Sequence, residues 1–228
     1  MSQDDPIIRA ERLIRGNMLV RAGLGARYSK LNFSMFSPSE QQKTAFSAAK
    51  QFVRKFNSGT TYGEGMIFAG NCGSGKTMLA AAVACEVVAS AELDDTRVYL
   101  AAIGCDDSKN AETPVKFVNI VELFDNLRRV FDKSDNENAD LLEELKRVPL
   151  LILDDLGAEK PTGWTAERLY ELINYRYMEE LPIIVTTNCK PDDLKLRLGE
   201  RIFDRLRSTC AYIPMATPES LRSSVKLN

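Results

Sequence analysis

Apolar and polar positions follow two rhythms along the chain. Early on, Ile7, Ala10, Ile14 and Met18 recur at helical spacing, with Arg9, Arg12 and Arg15 on other faces, which predicts a helix over 6–22. "AGLGARYSKLNFSMFS" then reads as a linker, with glycines at 23 and 25. "SPSE" at 37–40 reads as a helix start: Ser37 caps, Pro38 takes the first helical position and Glu40 closes a capping box. That helix runs to about Phe56, where "NSGTTYGEG" ends it.

From there short apolar runs alternate with helical stretches. "GMIFAG" (65–70), "RVYLAAI" (97–103), "VKFVN" (115–119), "PLLILDD" (149–155), "PIIVTTN" (182–188) and "CAYIPM" (210–215) are the expected strands. Helices are expected over 76–90, 120–131, 138–147, 165–180 and 191–208, the last broken at Gly199. Asn119 caps the second of these, with Glu122 as its box partner. Such alternation predicts an α/β fold with a parallel, doubly wound sheet. The uninterrupted apolar strands fit, because helices cover both faces of such a sheet.

Composition narrows the chemistry. A length of 228 residues suits one large domain, or one with a short appendage. No apolar run approaches the ~20 residues of a membrane span, and the acidic start "MSQDD" is unlike a signal peptide. A cytoplasmic protein with no membrane contact is expected. The net charge of −2 leaves nucleic-acid binding to local patches. The five cysteines have no metal-ligand spacing and read as reduced, mostly buried thiols. No histidine is present, which excludes Ser-His-Asp and Cys-His catalysis.

"GNCGSGKT" (70–77) matches G-x-x-x-x-G-K-[ST] between an expected strand and an expected helix. Gly70, Asn71, Cys72, Gly73, Ser74, Gly75, Lys76, Thr77 and Met78 are therefore the candidate nucleotide-binding residues. The glycines let successive N–H groups face a triphosphate, and the helix adds its positive end. Lys76 reaches the β/γ-phosphates and the Thr77 hydroxyl ligates Mg²⁺. ATP and Mg²⁺ are the expected cofactors.

The second carboxylate source is "LLILDD", whose Asp154 sits at a strand's C-terminal end, where α/β sheets place ligands. Asp154 is expected to organise Mg²⁺ with Thr77. Asp155 has two readings: a general base one methylene shorter than glutamate, or a structural carboxylate. Asn188 also has two: it orients the attacking water, or it caps "KPDDL". Arg201, Arg205 and Arg207 make either a solvated charged face or a source of transition-state stabilisation for a neighbour's ATP.

With these residues in order, the chain resembles the AAA+ ATPases of the bacterial helicase-loader type (DnaC/DnaI-like) and the related IstB-like transposition helpers. "GNCGSGKT", "LLILDDLGAEKPTGW", "LYELINYRY", "LPIIVTTN" and "LGERIFDRLRS" carry the resemblance over about residues 28–215. It implies a P-loop NTPase of AAA+ type, a five-stranded parallel sheet between helices. A helical segment and linker over 1–36 would precede an ATPase domain over 37–228. It further implies that Asn188 is a sensor, that Arg205 is an arginine finger acting in trans within a self-associated assembly, and that Arg222 contacts nucleotide. Phe131 and Trp164 match positions facing single-stranded DNA; core packing is their other reading.

The implied activity is ATP-dependent loading of a replicative DNA helicase onto single-stranded DNA. A transposition helper and a weakly hydrolysing nucleotide switch are the alternatives. Three departures stand out: no cysteine precedes position 72, residues 94–113 read as an inserted hairpin, and the chain stops soon after Tyr212, so no C-terminal lid domain is expected. The stripe on helix 6–22 either docks on the helicase or folds back on its own domain.

Overall fold

The computed structural model describes residues 5–105, 112–131, 135–158, 161 and 163–215. Among them lie five strands: β1 (Gly65–Ala69), β2 (Val115–Asn119), β3 (Leu150–Asp154), β4 (Ile183–Thr187) and β5 (Cys210–Pro214). They form one sheet in the order β2-β3-β4-β1-β5, with every pairing parallel. All residues of β1, β3 and β4 are buried, as the uninterrupted apolar runs require.

Alternate residues of these strands feed two cores. Phe68, Leu150, Ile152 and Ile184 pack with α1 (Pro6–Arg21), α2 (Lys43–Asn57) and α3 (Lys76–Ser90). On the other face, Ile67, Leu151, Leu153 and Val185 pack with α5 (Ile120–Phe131), α6 (Asp135–Arg147), α7 (Gly163–Met178), α8 (Pro191–Leu198) and α9 (Glu200–Thr209). Asn119 caps α5 as expected, its Oδ1 accepting from the N–H of Val121 at 3.0 Å and of Glu122 at 3.4 Å. The expected break at Gly199 separates α8 from α9, and that glycine has φ +83°.

Of the two readings of the α1 stripe, folding back is the one observed. Ala10, Ile14 and Met18 are buried in the first core, and only Ile7 stays outside. Arg15 fixes the helix further, its Nη1 donating to the carbonyls of Val88 (2.6 Å) and Ala91 (3.1 Å) at the end of α3. Just beyond α1, the Ala22 carbonyl accepts the Phe117 N–H at 2.7 Å, covering part of the sheet's outer edge at β2. The next residue must be glycine. A Cβ at Gly23 would lie 2.5 Å from the Phe117 oxygen, and φ there is +86°.

Two expectations are corrected. "RVYLAAI" is not a strand: α4 (Asp95–Ala102) covers most of it, and no hairpin is seen among the described residues of 94–113. Asp94 starts that helix, its Oδ1 accepting from the N–H groups of Thr96 and Arg97. Val98 is buried where α4 packs on α1. The helix start near 37–40 is also displaced. Ser39, not Ser37, is the cap, and its box partner is Gln42: the Ser39 N–H donates to Gln42 Oε1 at 3.0 Å. A 3₁₀ turn (Glu40–Gln42) then leads into α2.

At the sheet's N-terminal end, α7 is pinned by Arg176, whose side chain is fully buried. Its Nη1 is shared by the carbonyls of Leu145, Lys146 and Val148, and its Nη2 by those of Pro149 and Pro182. No helix among the described residues is long and apolar enough to cross a membrane.

Candidate nucleotide-binding site

The loop from Gly70 to Gly75 leaves β1, an interior strand between β4 and β5, and turns into α3. Gly73 and Gly75 have φ of +80° and +88°, the left-handed conformation that curls the backbone. A Cβ at Gly70 would lie 2.0 Å from the Met215 oxygen, so this glycine admits no side chain. Ser74 and Lys76 are buried; Asn71, Cys72 and Met78 are exposed. Lys76 Nζ donates to the carbonyls of Gly70 and Asn71, both at 2.9 Å, and to Ser74 Oγ at 3.3 Å. The ammonium thus lies across the loop it belongs to, at the place where phosphate oxygens would offer stronger, charged acceptors.

Asp154 ends β3 and is buried. It accepts hydrogen bonds from Thr186 Oγ1 at 2.6 Å and from the side chain of Thr77. Burial raises its carboxyl above the usual aspartate range, and Asp155 adds to the shift; the bonds from Thr186 and Thr77 and the Lys76 charge oppose it. The hydroxyl–carboxylate pair suits Mg²⁺, which prefers oxygen ligands and takes few of them from protein. No cluster of three or more His, Cys, Asp or Glu forms a metal cage among the described residues.

Asp155 adopts φ +58°, unusual for a side-chain-bearing residue. Its N–H donates to Thr186 Oγ1 at 3.0 Å and its Oδ1 accepts from Asn188 Nδ2 at 3.2 Å. Asn188 is not the cap of α8; that position belongs to Lys190. β3 and β4 thus bring Asp154, Asp155 and Asn188 together at one mouth of the sheet. Thr186 links them and was not singled out from sequence. Its signal was one of two adjacent hydroxyls, Thr186 and Thr187, that close an apolar run, meaningful only once β4 is known to lie beside β3 in register Leu153↔Val185.

The remaining candidates lie elsewhere. Arg205, on α9, donates to Asn174, Tyr170 and Arg201, none of which belongs to the phosphate loop. Arg201 and Arg207 are exposed. Trp164 is half-buried near the start of α7, packed against the second core with the Arg168 guanidinium 5.6 Å from its ring centre. Phe131 ends α5, and its side chain lies outside the described part, as does all of Arg222. Of the cysteines, Cys85 and Cys210 are buried, with thiols pushed by burial up to about 11 and about 12, while Cys72 and Cys105 are exposed. Cys189 is intermediate, so only two of the five thiols are buried and the expectation of mostly buried thiols is not met.

Comparison with known proteins gives the site its relatives. The family described as "IstB-like ATP binding protein" matches residues 7–228. The replicative helicase loader DnaC of Escherichia coli is 23% identical over 90% of this chain and 74% of its own. The loader DnaI of Bacillus subtilis is 28% identical over 82% of this chain and 51% of its own. A crystal structure of the DnaC helicase loader superposes with a TM-score of 0.66 at 25% identity, covering 84% of this chain and 99% of that one. The fold is the P-loop AAA+ fold.

Proposed function

Because the chain belongs to the IstB-like ATP binding protein family, we propose that it binds ATP with Mg²⁺ and hydrolyses it slowly. That cycle serves to load a replicative DNA helicase onto single-stranded DNA, in the cytoplasm. One juxtaposition carries the nucleotide half: the Thr77 hydroxyl on a buried Asp154 carboxylate, beside a phosphate loop spanned by Lys76. The loader half is supported by the likeness to DnaC and DnaI, whose names state that activity.

In this reading the N–H groups around Gly73 and Gly75 and the start of α3 receive the phosphates. Lys76 turns from its own loop carbonyls to the β/γ oxygens. Thr77 and Asp154 hold Mg²⁺, which when bound neutralises charge developing on those oxygens. Asn188 orients the attacking water, and Asp155, released from Asn188, accepts its proton or fixes its position. Arg205 of a second copy stabilises the transferring phosphoryl group, and Arg222 adds a nucleotide contact. Phe131 and Trp164 face the DNA strand. The segment 1–36 meets the helicase through the outer face of α1, where Leu13 and Val20 are 51% and 72% exposed, and 37–228 is the ATPase.

The family's description favours one second reading, an IstB-like helper of transposition. Capture by this chain of the replicative helicase or the transposase from the same genome, with and without ATP, separates the two. Helicase capture, lost in Lys76→Ala together with ATP binding, is expected. Capture of the transposase alone would overturn the loader reading. Equal helicase capture by a Leu13→Lys, Val20→Lys chain would remove α1 from the contact.

A further inference from the structure

Arg205 is held in a clamp whose side chains all come from one face of α7, with one carbonyl of its own helix added. Its Nε donates to Asn174 Oδ1 at 2.8 Å, its Nη2 to the Tyr170 hydroxyl at 3.1 Å, and its Nη1 to the Arg201 carbonyl at 3.1 Å. The guanidinium carbon also stands 4.9 Å from the centre of the Tyr170 ring and 5.7 Å from that of Tyr177. Tyr170, Asn174 and Tyr177 succeed one another at i, i+4 and i+7 on α7, so they share one face. An arginine on a charged surface helix ordinarily samples many rotamers. Here hydrogen bonds on three nitrogens and two rings select one. Each terminal nitrogen keeps a second N–H beyond those bonds.

The helix that bears the clamp is itself fixed. Arg176, on α7, is bound by five carbonyls from the last turn of α6 and the α6–β3 and α7–β4 connections. The clamp therefore sits on a helix that the core itself holds in place. Beside it, Tyr177 and Met178 are 40% and 67% exposed, an apolar margin of the kind a second copy would cover.

We propose that Tyr170, Asn174 and Tyr177 are positioning residues that pre-set the Arg205 guanidinium for the nucleotide of a second copy of this chain. The inference rests on the proposed trans role of Arg205. A preorganised guanidinium stabilises transition-state charge without losing side-chain freedom at that moment, whereas ångström-scale misplacement costs up to ~10²-fold in rate.

The test measures ATP turnover against protein concentration, with ATP affinity and melting temperature recorded for each variant. Asn174→Leu is expected to lower kcat of the assembled protein ~10-fold with ATP affinity unchanged. Tyr170→Phe, which keeps the ring and loses the acceptor, should lower it ~3-fold. Asn174→Asp, which keeps an acceptor for Nε, should restore most of it. In an Arg205→Ala background the Asn174→Leu change should add nothing, the non-additivity of residues acting through one group. Undiminished kcat in Asn174→Leu, or an equal loss in both backgrounds, overturns the clamp. Full concentration-dependent turnover in Arg205→Ala alone instead overturns the trans role on which the clamp rests.

Discussion

The two ends of the β3–β4 pair bury opposite charges and treat them differently. At the N-terminal end, Arg176 is enclosed by carbonyls of the backbone, fixed acceptors that no ligand replaces. Burial pushes the guanidinium down to about 9, so it stays charged at neutral pH. At the C-terminal end, Asp154 is buried almost as deeply but bonded by hydroxyls, Thr186 and Thr77, one of which is itself a metal-ligand type. Fixed backbone partners make a buried charge a fastener. Exchangeable side-chain partners, with a carboxyl left above its usual range, make one a site.

The contrast is broken most severely at the fastener. Arg176→Met keeps much of the volume and strands the carbonyls of Leu145, Lys146 and Val148. Removing one side of such a buried charged network costs ~3–5 kcal/mol, enough to leave the chain marginal. Denaturant unfolding followed by circular dichroism measures it. ATP affinity per folded molecule should be unchanged, because the phosphate loop lies at the sheet's other end. A folded variant with impaired ATP binding would end the distinction between the two charges.

Thr186→Val is the intermediate case. The methyl replaces the hydroxyl at nearly constant volume, so the Asp154 carboxylate loses a donor and the Asp155 N–H loses its acceptor. A destabilisation of ~1–2 kcal/mol is expected. Turnover should fall further than stability alone accounts for, because both acidic residues lose their common anchor. A kcat equal to the parent's would reduce Thr186 to a packing residue.

How much of this was legible in the sequence depends on how far each signal reaches. The phosphate loop was readable because its chemistry needs glycines, a lysine and a threonine at fixed spacing, all within one stretch. β3 and β4 were readable because central parallel strands are apolar on both faces. "RVYLAAI" misled for the same reason: a short apolar run fits a strand or a helix, and the Asp94 cap that decides between them lies outside the run. At "SPSEQQ" two overlapping capping boxes compete, Ser37–Glu40 and Ser39–Gln42. The second wins where Gln42 also donates to the Ser74 carbonyl of the phosphate loop at 2.8 Å. Thr186, Arg176 and the partners of Arg205 act across elements distant in sequence, so no local pattern announces them.

The smallest effect is the sharpest test of the site end. The raised carboxyl of Asp154 means the native chain binds that proton more tightly than the unfolded chain does. Protonation therefore favours the native state. The contribution is present below the ordinary carboxylate range, near pH 4, and is lost as pH rises through the raised native value. At neutral pH the parent carries the full cost of a buried negative charge. Asp154→Asn removes that charge and keeps an oxygen for the Thr186 hydroxyl. Without nucleotide and Mg²⁺ the variant should be the more stable protein at about pH 7.5, and the gain should shrink toward about pH 4. Adding ATP and Mg²⁺ should reverse the order, since only the parent gains the metal's binding energy. Thermal melts at the two pH values, with and without ligand, measure all four terms. An asparagine variant less stable than the parent at neutral pH would mean that the Thr77, Thr186 and Lys76 contacts outweigh burial. Asp154 would then be a fastener like Arg176, and the difference between the two ends of the sheet would lie in their ligands alone.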